Sequence, residues 1–189
     1  MKEVKKQLKR FWNFLREDSW QSLVVSLILA FVLIKFVFFP LLSLATGTSL
    51  PIVIVESCSM YHSTNLEDVL QNSIYGEHNI SLTDASDWSF KNGLNKGDIV
   101  FVVGTKKEKL KVGDVIVFNG GQAHEIIHRL ISVGDNFTTK GDHNSGLLGA
   151  EQNINPNLIS GRAVFRIPYV GWVKLIFYEA GRGDRGFCV

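Results

Sequence analysis

Residues 124–128 read His-Glu-Ile-Ile-His, the spacing at which two imidazoles one helical turn apart share a zinc ion and the glutamate activates a water. That geometry requires a helix. On a strand, positions i and i+4 stand about 13 Å apart, at roughly 3.3 Å per residue, and no single ion reaches both. The segment follows a Gly-Gly turn and runs into the β-branched Arg-Leu-Ile-Ser-Val before Gly134-Asp135, so a strand is expected and the pair His124 and His128, with Glu125, is not expected to bind metal. A second set is spread along the chain. Ser59 follows the apolar run Pro51 to Val55 in Val-Glu-Ser-Cys-Ser-Met, His128 lies in the expected strand, and Asp142 sits in Thr-Lys-Gly-Asp-His-Asn. Serine, histidine and aspartate are the groups of acyl transfer: a nucleophile, a base that takes its proton, and an acid that fixes the base's tautomer. Each alone equally suits a turn serine, a strand-face histidine or a turn aspartate.

These residues need a frame and a location. Residues 1–45 carry seven basic and three acidic side chains, a net of +4, and the remainder thirteen and fifteen, a net of −2. From Trp20 to Ala45 the only charge is Lys35, in a stretch long enough as a helix to cross about 30 Å of hydrocarbon. Ser43 and Ala45 offer a small-x-small cleavage site, but the polar lead-in and the apolar run are both longer than a signal peptide's, so an uncleaved anchor is expected. The basic cluster ahead of it places the N-terminus in the cytoplasm and the rest outside. Residues 1–19 read as a cytoplasmic amphipathic segment, with Val4, Leu8, Phe11, Trp12 and Leu15 at helical spacing, 20–45 as the anchor, and 46–189 as an extracytoplasmic catalytic domain.

That outer part consists of short Val-, Ile- and Phe-rich runs set off by Gly-Asp and Asn-Gly: 97–103, 113–118, 126–133 and 163–167. The pattern predicts a mostly β domain, a coiled sheet or partly open barrel, with a hairpin turn at 119–121. Residues 61–96 are polar, with a short helix expected at 66–74, and read as a surface insertion. The run 163–178 is too interrupted to span a bilayer and reads as packed β-structure that touches the membrane surface, turning at Pro168 and Gly171. A net charge of +2 without a basic stripe excludes wholesale nucleic-acid binding. Two cysteines, Cys58 and Cys188, exclude a disulfide scaffold; they can pair outside the cytoplasm or stay reduced. Lys106, Lys107, Lys109 and Lys111 read as a solvated turn, Asn79 and Asn136 stand in glycosylation sequons, and Arg182-Gly183-Asp184 is a chance tripeptide in a Gly-rich tail.

Four blocks in order resemble signal peptidase I in its archaeal and endoplasmic-reticulum form: Val-Glu-Ser-Cys-Ser-Met; the two Gly-Asp strands Lys-Gly-Asp-Ile-Val-Phe-Val and Lys-Val-Gly-Asp-Val-Ile-Val-Phe; Ile-Ile-His-Arg-Leu-Ile-Ser-Val-Gly-Asp; and Thr-Lys-Gly-Asp-His-Asn leading to Gly-Arg-Ala-Val-Phe-Arg-Ile-Pro-Tyr-Val-Gly-Trp. The resemblance runs from the anchor to about Trp172. It implies Ser59 as nucleophile, His128 as the base that replaces the lysine of the common bacterial branch, and Asp142 as the acid. It also implies a coiled β domain at the membrane, no metal or cofactor, and preproteins as substrates, cut after small residues at the first and third positions before the bond. Accessory membrane subunits are a further open partner class, and the membrane is that of a cell or of the endoplasmic reticulum. Ser57, Cys58 and Met60 would line the oxyanion and substrate groove, and Lys140 is the spare lysine beside the acid. The chain departs from the family at three places. Cys58 replaces a usual glycine, Tyr61-His62 replaces a usual Glu-Pro, and the second family acid falls on Leu147 or Leu148, with Glu151 the nearest carboxylate. A zinc peptidase and an inactive membrane-anchored binding domain are the two rival readings.

Overall fold

The computed structural model describes residues 2–178 and 186–188, and divides the chain into two compact units, 1–45 and 46–189. The first unit holds α1 (Lys2–Leu15) and most of α2 (Trp20–Thr46), whose 27 residues have a mean hydropathy of 2.7. Among the described residues α2 alone is long and apolar enough to cross a membrane. Ser19 caps its start, its Oγ accepting from the Ser22 N–H at 3.2 Å. Pro40 cannot donate to the carbonyl four residues back, and the helix widens to a π turn over Ile34–Phe38, just before it, rather than breaking. The Lys35 ammonium lies over the Phe31 and Phe36 rings.

The second unit is built on one open antiparallel sheet of six strands: β1 (Ile52–Ile54), β2 (Ile99–Val103), β3 (Val115–Phe118), β4 (Ile126–Ser132), β5 (Thr138–Lys140) and β6 (Ile159–Ile167), in the order β1-β2-β6-β3-β4-β5. Short helices α3 (Leu66–Leu70), α4 (Ser73–Glu77) and α5 (Trp172–Tyr178) accompany it. The expected sheet behind one apolar helix is present as an open antiparallel sheet and not a partial barrel; with 39% helix and 20% strand, much of the helix in the N-terminal unit, the whole chain is mixed α/β and not clearly mostly β. Residues 172–178 are helical, because Pro168 and the left-handed Tyr169 (φ 60°) end the strand and release the chain into a turn. The hairpin expected at 119–121 joins β3 to β4, its loop running on through 119–125.

The two Gly-Asp dipeptides ahead of β2 and β3 do the same work. Gly97 (φ 89°) and Gly113 (φ 94°) adopt a backbone that side chains resist. A Cβ on Gly97 would collide with the Trp172 ring, and one on Gly113 with the Trp88 ring. The next residue, Asp98 or Asp114, turns its buried carboxylate back to accept the N–H of Asn95 or Lys111 and pairs with Arg166 or Arg162 of β6. Each motif therefore caps a turn and joins its strand to the centre of the sheet.

β3 is buried at every position. Val115 and Val117 pack on one side with Val100, Val102, Leu94 and Met60, while Ile116 and Phe118 pack on the other with Ile126, Leu130 and Phe137. A third cluster corrects the expectation for 61–96. Tyr75, Ala85 and Trp88 are buried against Ile131, so this stretch covers the sheet and is not a surface insertion. The lysines at 106, 107, 109 and 111 are exposed around a short turn, as expected, and Arg182-Gly183-Asp184 lies outside the described residues.

Candidate active site

Ser59 follows β1 in a tight turn closed by the Tyr61 N–H on the Cys58 carbonyl (3.0 Å). Its Oγ lies 2.8 Å from Nε2 of His128 in β4, and 3.1 Å from Ser57 Oγ. His128 is only 3% exposed. Its Nδ1 is 2.5 Å from Glu151 Oε1, a contact bent away from linear hydrogen-bond geometry. Glu151 is fully buried in the turn Gly149–Glu151, where its carboxylate accepts the Gly141 N–H (2.9 Å) and the Leu148 N–H. A carboxylate facing Nδ1 favours the tautomer that keeps the proton there, which leaves the Nε2 lone pair for the serine hydroxyl.

Of the acids named from sequence, Glu151 therefore faces the imidazole, and the expectation that Asp142 orients His128 is corrected. Adjacent strand residues leave on opposite sides, and Asp142 serves the neighbour, Arg129. The Arg129 Nε donates to Asp142 Oδ1 and Oδ2 (2.9 and 3.1 Å) and its Nη2 to Oδ2 (2.7 Å). Tyr75 Oη donates to Oδ1 at 3.0 Å, and His62 Nε2 lies 2.7 Å from Oδ2. Burial works against an ionised Asp142, but the Arg129 charge and the hydrogen bonds from His62 and Arg129 outweigh it and hold this carboxyl well below the usual carboxylate range. Burial, and then the Asp142 charge, push the Tyr75 phenol far up.

The loop that carries Asp142 touches Ser59, His128 and Glu151 alike. The His143 N–H donates to the Ser59 carbonyl (2.9 Å), Gly141 donates to Glu151, and a Cβ on Gly141 would come within 2.8 Å of His128 Nε2. Anchoring Asp142 thus fixes the loop that holds the serine, the imidazole and the glutamate in register.

His62, Tyr75 and Arg129 were not singled out as partners of this site in the sequence. Arg129 carried the usable signal: a guanidinium between His128 and Leu130 in a strand expected to be buried needs a buried counter-charge. Lys140 is buried, but its Nζ donates to the Gly141 and Asn144 carbonyls (3.0 and 2.6 Å) and not to the serine. Burial lowers its affinity for the proton. In the His-Glu-Ile-Ile-His stretch, His128 belongs to a strand and His124 precedes it, 3.9 Å from Glu56, so the helical zinc geometry is not formed. Met60 is buried in the core.

Cys58 is bonded to Cys188, with Cα atoms 5.6 Å apart. The thiol that could have competed with Ser59 is therefore tied up, and the tie closes a loop of 130 residues. Replacing both cysteines by serine is expected to lower unfolding stability by about 2–5 kcal/mol. Urea unfolding of the full chain in detergent, followed by circular dichroism, measures this; a change below about 1 kcal/mol would show the link to be energetically idle.

No family model matches the chain.

Proposed function

We propose that the chain is a membrane-anchored serine endopeptidase of the signal peptidase I type, removing N-terminal signal peptides from preproteins after small residues at the first and third positions before the bond. The observation that carries this reading is the serine hydroxyl 2.8 Å from an imidazole whose other nitrogen meets a buried carboxylate. The apolar helix α2 supports a single-pass anchor in a cell or endoplasmic-reticulum membrane, with the cytoplasmic N-terminus and outward catalytic domain expected from the charge asymmetry.

Ser59 Oγ attacks the scissile carbonyl carbon as His128 Nε2 takes its proton. The oxyanion is held by the Ser59 N–H and by Ser57 Oγ, at about 3–4 kcal/mol per well-placed donor. Collapse breaks the C–N bond, and the imidazolium returns the proton to the leaving amine. A water activated by the same imidazole then hydrolyses the acyl ester and frees Ser59. Glu151 keeps the ring's tautomer and orientation throughout, and no step calls for a cofactor.

The test reconstitutes the full chain in vesicles with a preprotein, sequences the new N-terminus, and locates a serine-acylating reagent on the chain by mass spectrometry. Cleavage after a small-x-small sequence, insensitive to chelators, with the acyl group on Ser59, is the expected result. Activity that chelators abolish and zinc restores would replace this reading with a metallopeptidase. Preprotein binding without cleavage would replace it with a binding domain.

A further inference from the structure

The Cys58–Cys188 disulfide has a consequence beside the nucleophile. It ties residue 188 to the residue that precedes Ser59, and the Tyr61 N–H closes the same turn on the Cys58 carbonyl. Tyr61 and Cys188 together line a cavity of about 540 Å³, whose remaining wall includes Lys96, Tyr169, Trp172 and Phe187. Phe187 is the keystone of that wall. Its ring centroid lies 4.9 Å from that of Trp172 and 6.1 Å from that of Tyr169. Polar groups here are tied back: Trp172 Nε1 donates to the Lys96 carbonyl (3.0 Å), the Tyr169 N–H donates to Asp98 (3.2 Å), and the Lys96 ammonium lies over the Trp172 ring. Ring faces are left to line the space.

We infer that this cavity is a subsite for an aromatic side chain of the peptide bound at Ser59, distinct from the positions that take small residues. The inference rests on the endopeptidase reading and adds a specificity that reading does not contain. Size excludes the small-residue positions, since a methyl group would leave most of the cavity unfilled. The volume falls in the range of about 300–1,000 Å³ that suits a buried ligand group. Aromatic walls with a cation over one ring favour a further ring, through edge-to-face contact and cation–π attraction. Because the walls flank the nucleophile's own turn, and an extended peptide advances about 3.3 Å per residue, the ring belongs within a few positions of the scissile bond.

The experiment uses the full chain in detergent and a set of peptides sharing one small-x-small cleavage sequence, with phenylalanine or alanine placed at each flanking position in turn. At one position phenylalanine is expected to raise kcat/KM over alanine by about tenfold or more. That ratio is expected to fall below about twofold in Phe187→Ala and in the Cys58→Ser, Cys188→Ser double variant. A second arm measures binding of fluorescent versions of the peptides to Ser59→Ala, where the same position is expected to show the same preference in Kd. Cleavage without any aromatic preference would overturn the subsite and leave the endopeptidase standing. A preference that survives both Phe187→Ala and removal of the disulfide would likewise overturn it, by assigning the preference to another wall. Preferential binding in the second arm, with no cleavage by the unaltered chain, would support the subsite and sink the endopeptidase reading instead.

Discussion

Ser59→Ala is expected to lower kcat on a preprotein by about 10⁶-fold, and Glu151→Gln by about 10³–10⁴-fold, with the fold retained in both. Removal of the nucleophile ends acyl transfer and leaves only what binding and the oxyanion donors contribute. The glutamine is the more diagnostic change. It keeps an oxygen for the Leu148 N–H, on the Oε2 side, and sets its NH2 group where Oε1 had met the Gly141 N–H and His128 Nδ1. Turned toward His128, however, its amide donates to Nδ1, so the proton of the neutral ring moves to Nε2, which can then no longer accept from Ser59. The loss should appear in kcat, with KM little changed, because the imidazole acts on the proton and not on peptide binding. Initial rates with purified full chain in detergent, each variant checked by circular dichroism, measure the effect. A Glu151→Gln chain within tenfold of the unaltered rate would show that this carboxylate does not orient the base.

The sequence points to Ser59, His128 and Glu151 and yet assigns the orienting acid to Asp142, for a physical reason. Strand alternation is local, so the expectation of a strand rather than a helix over the His-Glu-Ile-Ile-His stretch could be argued from flanking glycines and β-branched residues, and β4 (Ile126–Ser132) agrees with it. The Gly-Asp punctuation was equally local, because each motif builds its turn from residues three positions apart. Glu151, by contrast, arrives through an irregular segment whose only regular pieces are the three-residue turns Gly149–Glu151 and Pro156–Leu158. No period there tells which side chain points inward. The segment 61–96 misled for a related reason: its polar composition hides three large contributions, from His62, Tyr75 and Trp88, that become buried only when the stretch folds across the sheet. Sheet closure was illegible as well, since an open sheet with β1 and β5 at its edges and a partial barrel can be built from the same alternating runs.

Asp142→Asn is expected to destabilise the folded chain by about 3–5 kcal/mol, an effect on the fold rather than on the chemical step. Arg129 is fully buried, and among the described residues only Asp142 supplies it with a counter-charge; its other donors meet the Ser89, Gly113 and Phe90 carbonyls, and its plane lies over Trp88. An asparagine would leave that guanidinium charged, desolvated and unpaired. The pH dependence carries a definite sign. Asp142 is held well below the usual carboxylate range, so near pH 3 the unfolded chain binds a proton at this site that the folded chain does not. Its contribution is fully present above the ordinary carboxylate value of about 3.9 and is lost as pH falls from there toward the depressed folded value. Stability of the unaltered chain should therefore drop through this window, and the part due to this group should be missing from Asp142→Asn. Arg129→Met combined with Asp142→Asn should cost less than the two single changes added together, because the double variant buries no lone charge. Urea unfolding of the four chains in detergent, at neutral pH and near pH 3, measures all three effects. Additive single costs, or an Asp142→Asn chain within about 1 kcal/mol of the original, would mean that the Arg129–Asp142 pair does not anchor the loop that carries the His143 grip on Ser59.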